Sequence, residues 1–192
     1  MYYAEALEPM VGFLRSIGIG VEYGEGAKGG FLPGVNIHAG VIHVDPDTLA
    51  GSGDVLHEAG HIAVVPRAYW PRLNRDLQGD TRAQVAAAEQ AGDPAAVHLR
   101  RAAESGELMA QAWSYAAALH LGYSPACVFF PGSYYHEPYE GNHPTHVWLD
   151  SGTHFGPVML AQAGITGFSG IVGAAWNNGL PPFPQMSRWT VD

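Results

Sequence analysis

Residues 57–61 read His-Glu-Ala-Gly-His, and this pentapeptide constrains the chain more than any other feature. Two histidines four positions apart become close neighbours on one face in a helix, where 3.6 residues complete a turn. Imidazoles presented in this way can grip one metal ion. Glu58 then faces the same metal and can take a proton from the water bound there. The pattern implies metal-dependent hydrolysis, with a peptide bond as the first candidate. Val55, Leu56, Ile62, Ala63 and Val64 make the helix largely buried. Buried His and Glu need partners, and a metal supplies one.

The surrounding pattern predicts an α+β fold. Leu7, Met10, Val11, Leu14 and Ile17 fall at helical spacing, and Gly18 and Gly20 stop that helix. Residues 19–23 and 40–45 alternate like strands. Ser52 or Asp54 can cap the motif helix, which runs to about Val64 and ends at Pro66. Residues 66–77 suit an ordered loop or short helix, and the Ala-rich residues 80–90 a helix. Residues 95–105 and 107–121 read as two helices interrupted at Gly106. Residues 146–150 are expected as a strand, 157–163 as a short helix, and 177–192 as irregular. The 192-residue length suits one domain, in which residues 1–125 form the core. Residues 126–192, aromatic and rich in Gly and Pro, are expected to pack on that core.

A catalytic zinc takes three protein ligands and leaves one position open. The six residues after His61 contain no His or Asp, which disfavours the class whose pattern continues with a third His. A Glu on a second helix remains. Glu107 opens a long Ala-rich helix that can pack antiparallel to the motif helix, with Glu104 as the alternative ligand. Candidates for a second donor to the transition state are Tyr69, His98, Tyr115 and His154. Trp113 and Tyr115 are expected to serve core packing.

The text His57-Glu58-Ala59-Gly60-His61, with Glu107-Leu108-Met109-Ala110-Gln111-Ala112-Trp113 downstream, resembles the gluzincin-type zinc metallopeptidases. It is closest in flavour to the ImmA/IrrE-like group, over roughly residues 35–122. The resemblance implies a zincin-like core: a short mixed sheet packed on the motif helix, with a second Glu-bearing helix beside it. It implies His57, His61 and Glu107 as Zn2+ ligands and Glu58 as general base. It also implies that residues 41–45 form the edge strand that aligns a peptide. The function expected is cleavage of a peptide or protein substrate by Glu-assisted attack of zinc-bound water. The alternatives are a catalytically silent binding or regulatory module and a metal-dependent amidase acting on a non-peptide substrate.

A second histidine group, His136, His143, His146 and His154, has Glu137, Glu140 and Asp150 interleaved but no recognised ligand spacing. A polar loop near the cleft is expected rather than a second metal site, and Tyr134, Tyr135 and Tyr139 suit either a substrate groove or a surface cap. Eighteen acidic against nine basic side chains give a formal net charge of −9, which disfavours nucleic-acid binding. The Gly-rich residues 24–30 lack the Gly-Lys-Ser/Thr ending of a phosphate-binding loop. No Gly-x-Ser-x-Gly elbow occurs. The single cysteine, Cys127, sits in an apolar run and reads as a buried, inert thiol. Residues 155–187 carry no Asp, Glu, Lys or Arg, but Gly, Gln, Thr and Ser dilute them, so no stable membrane insertion is expected. The first ten residues lack the basic and apolar stretches of a secretory leader, which makes the cytoplasm the expected location.

Overall fold

The computed structural model of the chain describes residues 1–133 and 139–192. A 3-10 turn, Ala4–Ala6, leads into helix α1, Leu7–Ser16. Leu7, Met10, Val11 and Leu14 are buried, so the apolar stripe of α1 faces the interior, against helix α2 (Gly53–Ala63) and strand β1 (Val21–Tyr23). Strands β2, Val35–His38, and β3, Val41–Val44, complete a three-stranded mixed sheet in the order β1-β3-β2. The β1–β3 pair is parallel and the β2–β3 pair antiparallel. Buried Val35, Ile37, Ile42 and Val44 give the sheet its apolar content, and both β2 and β3 pack against α2.

The sheet corrects one expectation. Residues 41–44 form the central strand, so they are not an edge that could align a peptide. The reason is β2, which the sequence pattern does not reveal. It is four residues long, and its buried Asn36 breaks the apolar run. The two-residue link between β2 and β3, Ala39-Gly40, has positive φ at both positions (49° and 76°), as a tight hairpin requires. Gly40 is also needed for space, because a Cβ there would stand 2.5 Å from the Trp70 carbonyl oxygen.

A 3-10 segment, Arg67–Arg72, follows α2. Then come α3, Leu77–Gln90, capped by the Asp76 side chain, and α4, Ala96–His120. The interruption expected near Gly106 is a kink rather than a break: Ser105 has φ −133° and ψ 15° inside one long helix. A 3-10 turn, Pro125–Cys127, precedes α5 (Pro144–Asp150), α6 (Gly156–Gln162) and α7 (Gly170–Ala175). Residues 146–150 are therefore helical, not a strand. Pro144 takes the first helical position, and the His143 Nδ1 accepts the Thr145 N–H, an N-cap made by an unusual residue type. Leu149, Leu160, Ile165 and Val191 join the same apolar cluster as Leu14, Leu56 and Trp113. Cys127 is buried. Among the described residues, no helix is long and apolar enough to cross a membrane.

Helices α2 and α4 are in tight contact at Gly60, where a Cβ would lie 2.9 Å from both the Cα and the carbonyl oxygen of Ala110. That obstacle is backbone and cannot swing aside. Gly60→Ala is expected to destabilise the metal-free protein by about 1–3 kcal/mol, the usual cost of overpacking. Urea denaturation checks this, and an unchanged midpoint would show that the helices part without cost.

Candidate metal centre

Asp54, His57, Glu58 and His61 occupy positions i, i+3, i+4 and i+7 of α2 and so form one stripe. The other face of the helix carries Val55, Leu56, Ala59, Ile62 and Ala63 into the core. The stripe looks into a cleft of about 820 Å³. Across it, α4 contributes Glu107 and, one turn later, Gln111.

Three ligand atoms converge. The Nε2 atoms of His57 and His61 are 3.3 Å apart, and Glu107 Oε2 lies 3.7 Å from the first and 3.2 Å from the second. Tetrahedral zinc with bonds of roughly 2.0–2.1 Å sets neighbouring ligand atoms about 3.3 Å apart, so the three atoms match one triangular face of such a site. The donor set of two imidazoles and a carboxylate suits zinc as well. Among the described residues this is the one group of His, Cys, Asp and Glu able to hold a metal ion. Glu107 belongs to it, and Glu104, on the far side of the Ser105 kink, does not.

The electrostatics agree. Burial pushes His57 down to about 4, in spite of the nearby Glu107 carboxylate. Burial also opposes charge on His61, but the hydrogen bond and charge of Glu107, with Glu58 behind it, outweigh burial and raise this group. Glu107 is lifted by burial, yet the two histidines and Gln111 hold it at about 2, so it is a carboxylate at neutral pH. Burial raises Glu58. Asp54, only 2% exposed, is pushed by burial to about 7. The Gly51 N–H opposes that rise and Glu58 adds to it.

The structure brings together His57, Glu58, His61 and Glu107, and separates most of the proposed second donors from them. The Tyr69 hydroxyl donates to Asp93 (2.5 Å) and the Tyr115 hydroxyl to Asp150 (2.7 Å). His98 lies beside Arg101. None of these three lines the cleft. His154 reaches the site indirectly, through a 2.9 Å contact with Gln111. Trp113 is fully buried and donates to the Trp189 carbonyl, a packing role.

The described members of the second histidine group form no metal cluster. His143 caps α5, and His146 stacks on Phe129 and lies 3.4 Å from Asp150. Tyr134, Tyr135, His136 and Glu137 fall outside the described residues. Sequence reasoning missed Gln111 as a partner of Glu107 and Asp54 as a wall of the cleft. It also missed the other wall residues: Phe31, Leu32, Pro33 and Phe130 on the apolar side, and Arg75, Asp76 and Gln78 among the polar ones. Gln111 had a readable signal, because it stands four positions after Glu107 on the same helix face.

Comparison with protein-family models, with curated proteins and with solved structures gives no match. The geometry is that of a zincin-type metal-binding triad, consistent with His-Glu-x-x-His zinc peptidases in general. No relative supports the narrower ImmA/IrrE-like group.

The raised Asp54 has a consequence for stability. Its folded-state value of about 7 exceeds the unfolded value of about 3.9, so the folded chain holds a proton that the unfolded chain releases. This contribution therefore favours folding least above pH 7, and the loss develops as pH rises from about 4 to 7. Asp54→Asn does not titrate. In metal-free protein it is expected to match wild type near pH 4 and to exceed it by up to a few kcal/mol at pH 8, at about 1.4 kcal/mol per pKa unit. Urea midpoints across this range test it, and a pH-independent offset would contradict it.

Proposed function

We propose that the protein is a zinc-dependent metallopeptidase. The observation that carries this reading is the convergence of His57 Nε2, His61 Nε2 and Glu107 Oε2 within 3.2–3.7 Å, with Glu58 on the same helix face. On this reading His57, His61 and Glu107 hold the ion. Zinc bound there supplies a Lewis acid for the scissile carbonyl and acidifies a water molecule. Glu58 acts as general base, accepting the proton of the attacking water and returning it to the leaving amine. Burial prepares Glu58 for this exchange by raising its proton affinity, and a cation bound beside it would keep that rise in check.

A peptide or protein is the substrate that the cleft supports best. Its volume of about 820 Å³ falls among ligand-binding clefts. Phe31, 80% exposed at the rim, joins Leu32, Pro33 and Phe130 in an apolar wall that suits a non-polar side chain. Arg75 and Gln78 face the cleft as candidate partners for peptide carbonyls. Glu58 favours catalysis over a silent module, since a structural zinc needs no general base.

Elemental analysis should find one zinc per chain, lost in His57→Ala and Glu107→Ala. Glu58→Gln keeps size and removes the base. It is expected to retain zinc and to lower kcat by about 10²–10⁴ on whichever peptide a library screen identifies. A fully active Glu58→Gln enzyme, or wild type that takes up no zinc at neutral pH, would sink the proposal.

A further inference from the structure

Glu107 is engaged through both oxygens. Its Oε2 faces the two histidines, while its Oε1 accepts a 2.8 Å hydrogen bond from Gln111 Nε2. Gln111 is itself oriented, with Oε1 2.9 Å from His154 Nε2. The other ring nitrogen of His154, Nδ1, accepts the Gly156 backbone N–H at 3.0 Å. A backbone N–H can only donate, so Nδ1 carries the lone pair and the proton of the neutral ring sits on Nε2. His154 must then donate to the Gln111 oxygen. The Gln111 amide is thereby left with its NH₂ directed at Glu107. Imidazole tautomers and amide orientations are otherwise ambiguous, and here one backbone group fixes both.

The chain of bonds is built into the packing. His154 is 8% exposed and precedes α6. A Cβ on Gly156 would lie 2.1 Å from the Leu108 carbonyl oxygen and 2.8 Å from Ala112 Cβ, so the start of α6 sits directly on the turn of α4 that carries Glu107 and Gln111. Glu107 needs such support, because its side chain is 53% exposed and its rotamers are open to the cleft.

We propose that Gln111 and His154 are positioning residues for Glu107, holding Oε1 so that the carboxylate meets zinc through Oε2 alone. The inference rests on the zinc-site reading above. Outer partners of metal ligands act in this way by fixing orientation before the ion arrives.

The test uses the full chain, stripped of metal and titrated with Zn2+ against a chromophoric chelator, together with the visible spectrum of the Co2+ form. Gln111→Met keeps the helix and the side-chain volume but removes both hydrogen bonds. It is expected to weaken zinc binding about 10–100-fold and to change the intensity of the Co2+ bands, as the carboxylate gains freedom to bind through both oxygens. The melting temperature of the metal-free protein should move little. His154→Leu should reproduce the loss and His154→Gln, which keeps a donor at similar reach, should recover most of it. If His154→Leu does not fold, Gln111→Met carries the test. Wild-type zinc affinity and an unaltered Co2+ spectrum in Gln111→Met would overturn the positioning role and leave the zinc site standing. Failure of wild type to bind either ion would overturn the zinc reading and this inference with it.

Discussion

The site depends on how closely two helices can approach. Gly60 belongs to the motif itself, between Glu58 and His61, and it meets the backbone of Ala110 with no room for a methyl group. The contact sets the separation of α2 and α4, and that separation carries Glu107 to within 3.2 Å of His61. The glycine and the two histidines thus serve one geometric purpose: a larger residue at position 60 would push Glu107 away from the histidines it faces. Ala-rich α4 meets the same demand from the other side, with Ala110, Ala112, Ala116 and Ala117 all buried. Small side chains let α4 lie near its neighbours while the long carboxylate arm of Glu107 reaches outward.

Close packing also creates an electrostatic problem that a cation resolves. Asp54, Glu58 and Glu107 line one cleft, and the first two are nearly inaccessible to water. Burial of like charges is costly, and in the absence of an ion Asp54 and Glu58 respond by binding protons more tightly. Glu107 stays ionised because the histidines face it. The facing Nε2 atoms of His57 and His61 present a related conflict: without a proton or a cation between them, two lone pairs would be opposed at 3.3 Å. One divalent ion would answer both conflicts, which is a stronger argument for a metal than the motif spelling alone.

How much of this could be read from the sequence varied with the range of the interaction. His57, Glu58 and His61 are legible because helical periodicity makes them neighbours within a few residues. Glu107 is legible because a carboxylate on a second, Ala-rich helix answers the need for a third ligand, although that helix begins at Ala96 and carries Glu107 near its middle. The packing of helices against a short sheet follows from the same patterns. Strand β2 is not legible: it is short, and its pairing is set by a positive-φ hairpin whose first residue is Ala39 rather than the Asn or Gly that usually announces such a turn. The edge position that the resemblance implied for residues 41–45 fails because β2 pairs on that side and makes β3 the centre. Helix α5 is hidden for a parallel reason, since histidine is a rare cap and His143 supplies it. The cleft walls, drawn from residues 31–33, 75–78, 130, 132 and 133, carry no local signature because only tertiary packing assembles them.

The same distinction bears on the last third of the chain. Leu160 and Ile165 lie in the common core, and Gly53 at the start of α2 abuts the Cys127 carbonyl with no space for a Cβ. The motif helix is therefore set from both sides, by the sheet and α1 on one and by residues after 125 on the other. His154 extends that arrangement to the level of single atoms. A backbone N–H at Gly156 fixes a histidine tautomer, the tautomer fixes an amide, and the amide holds one oxygen of Glu107, 47 positions earlier in the chain than His154. Each step is a short-range hydrogen bond with one permitted direction. What makes the series a property of the fold is the seating of α6 on α4, which places the first donor where the last acceptor can feel it.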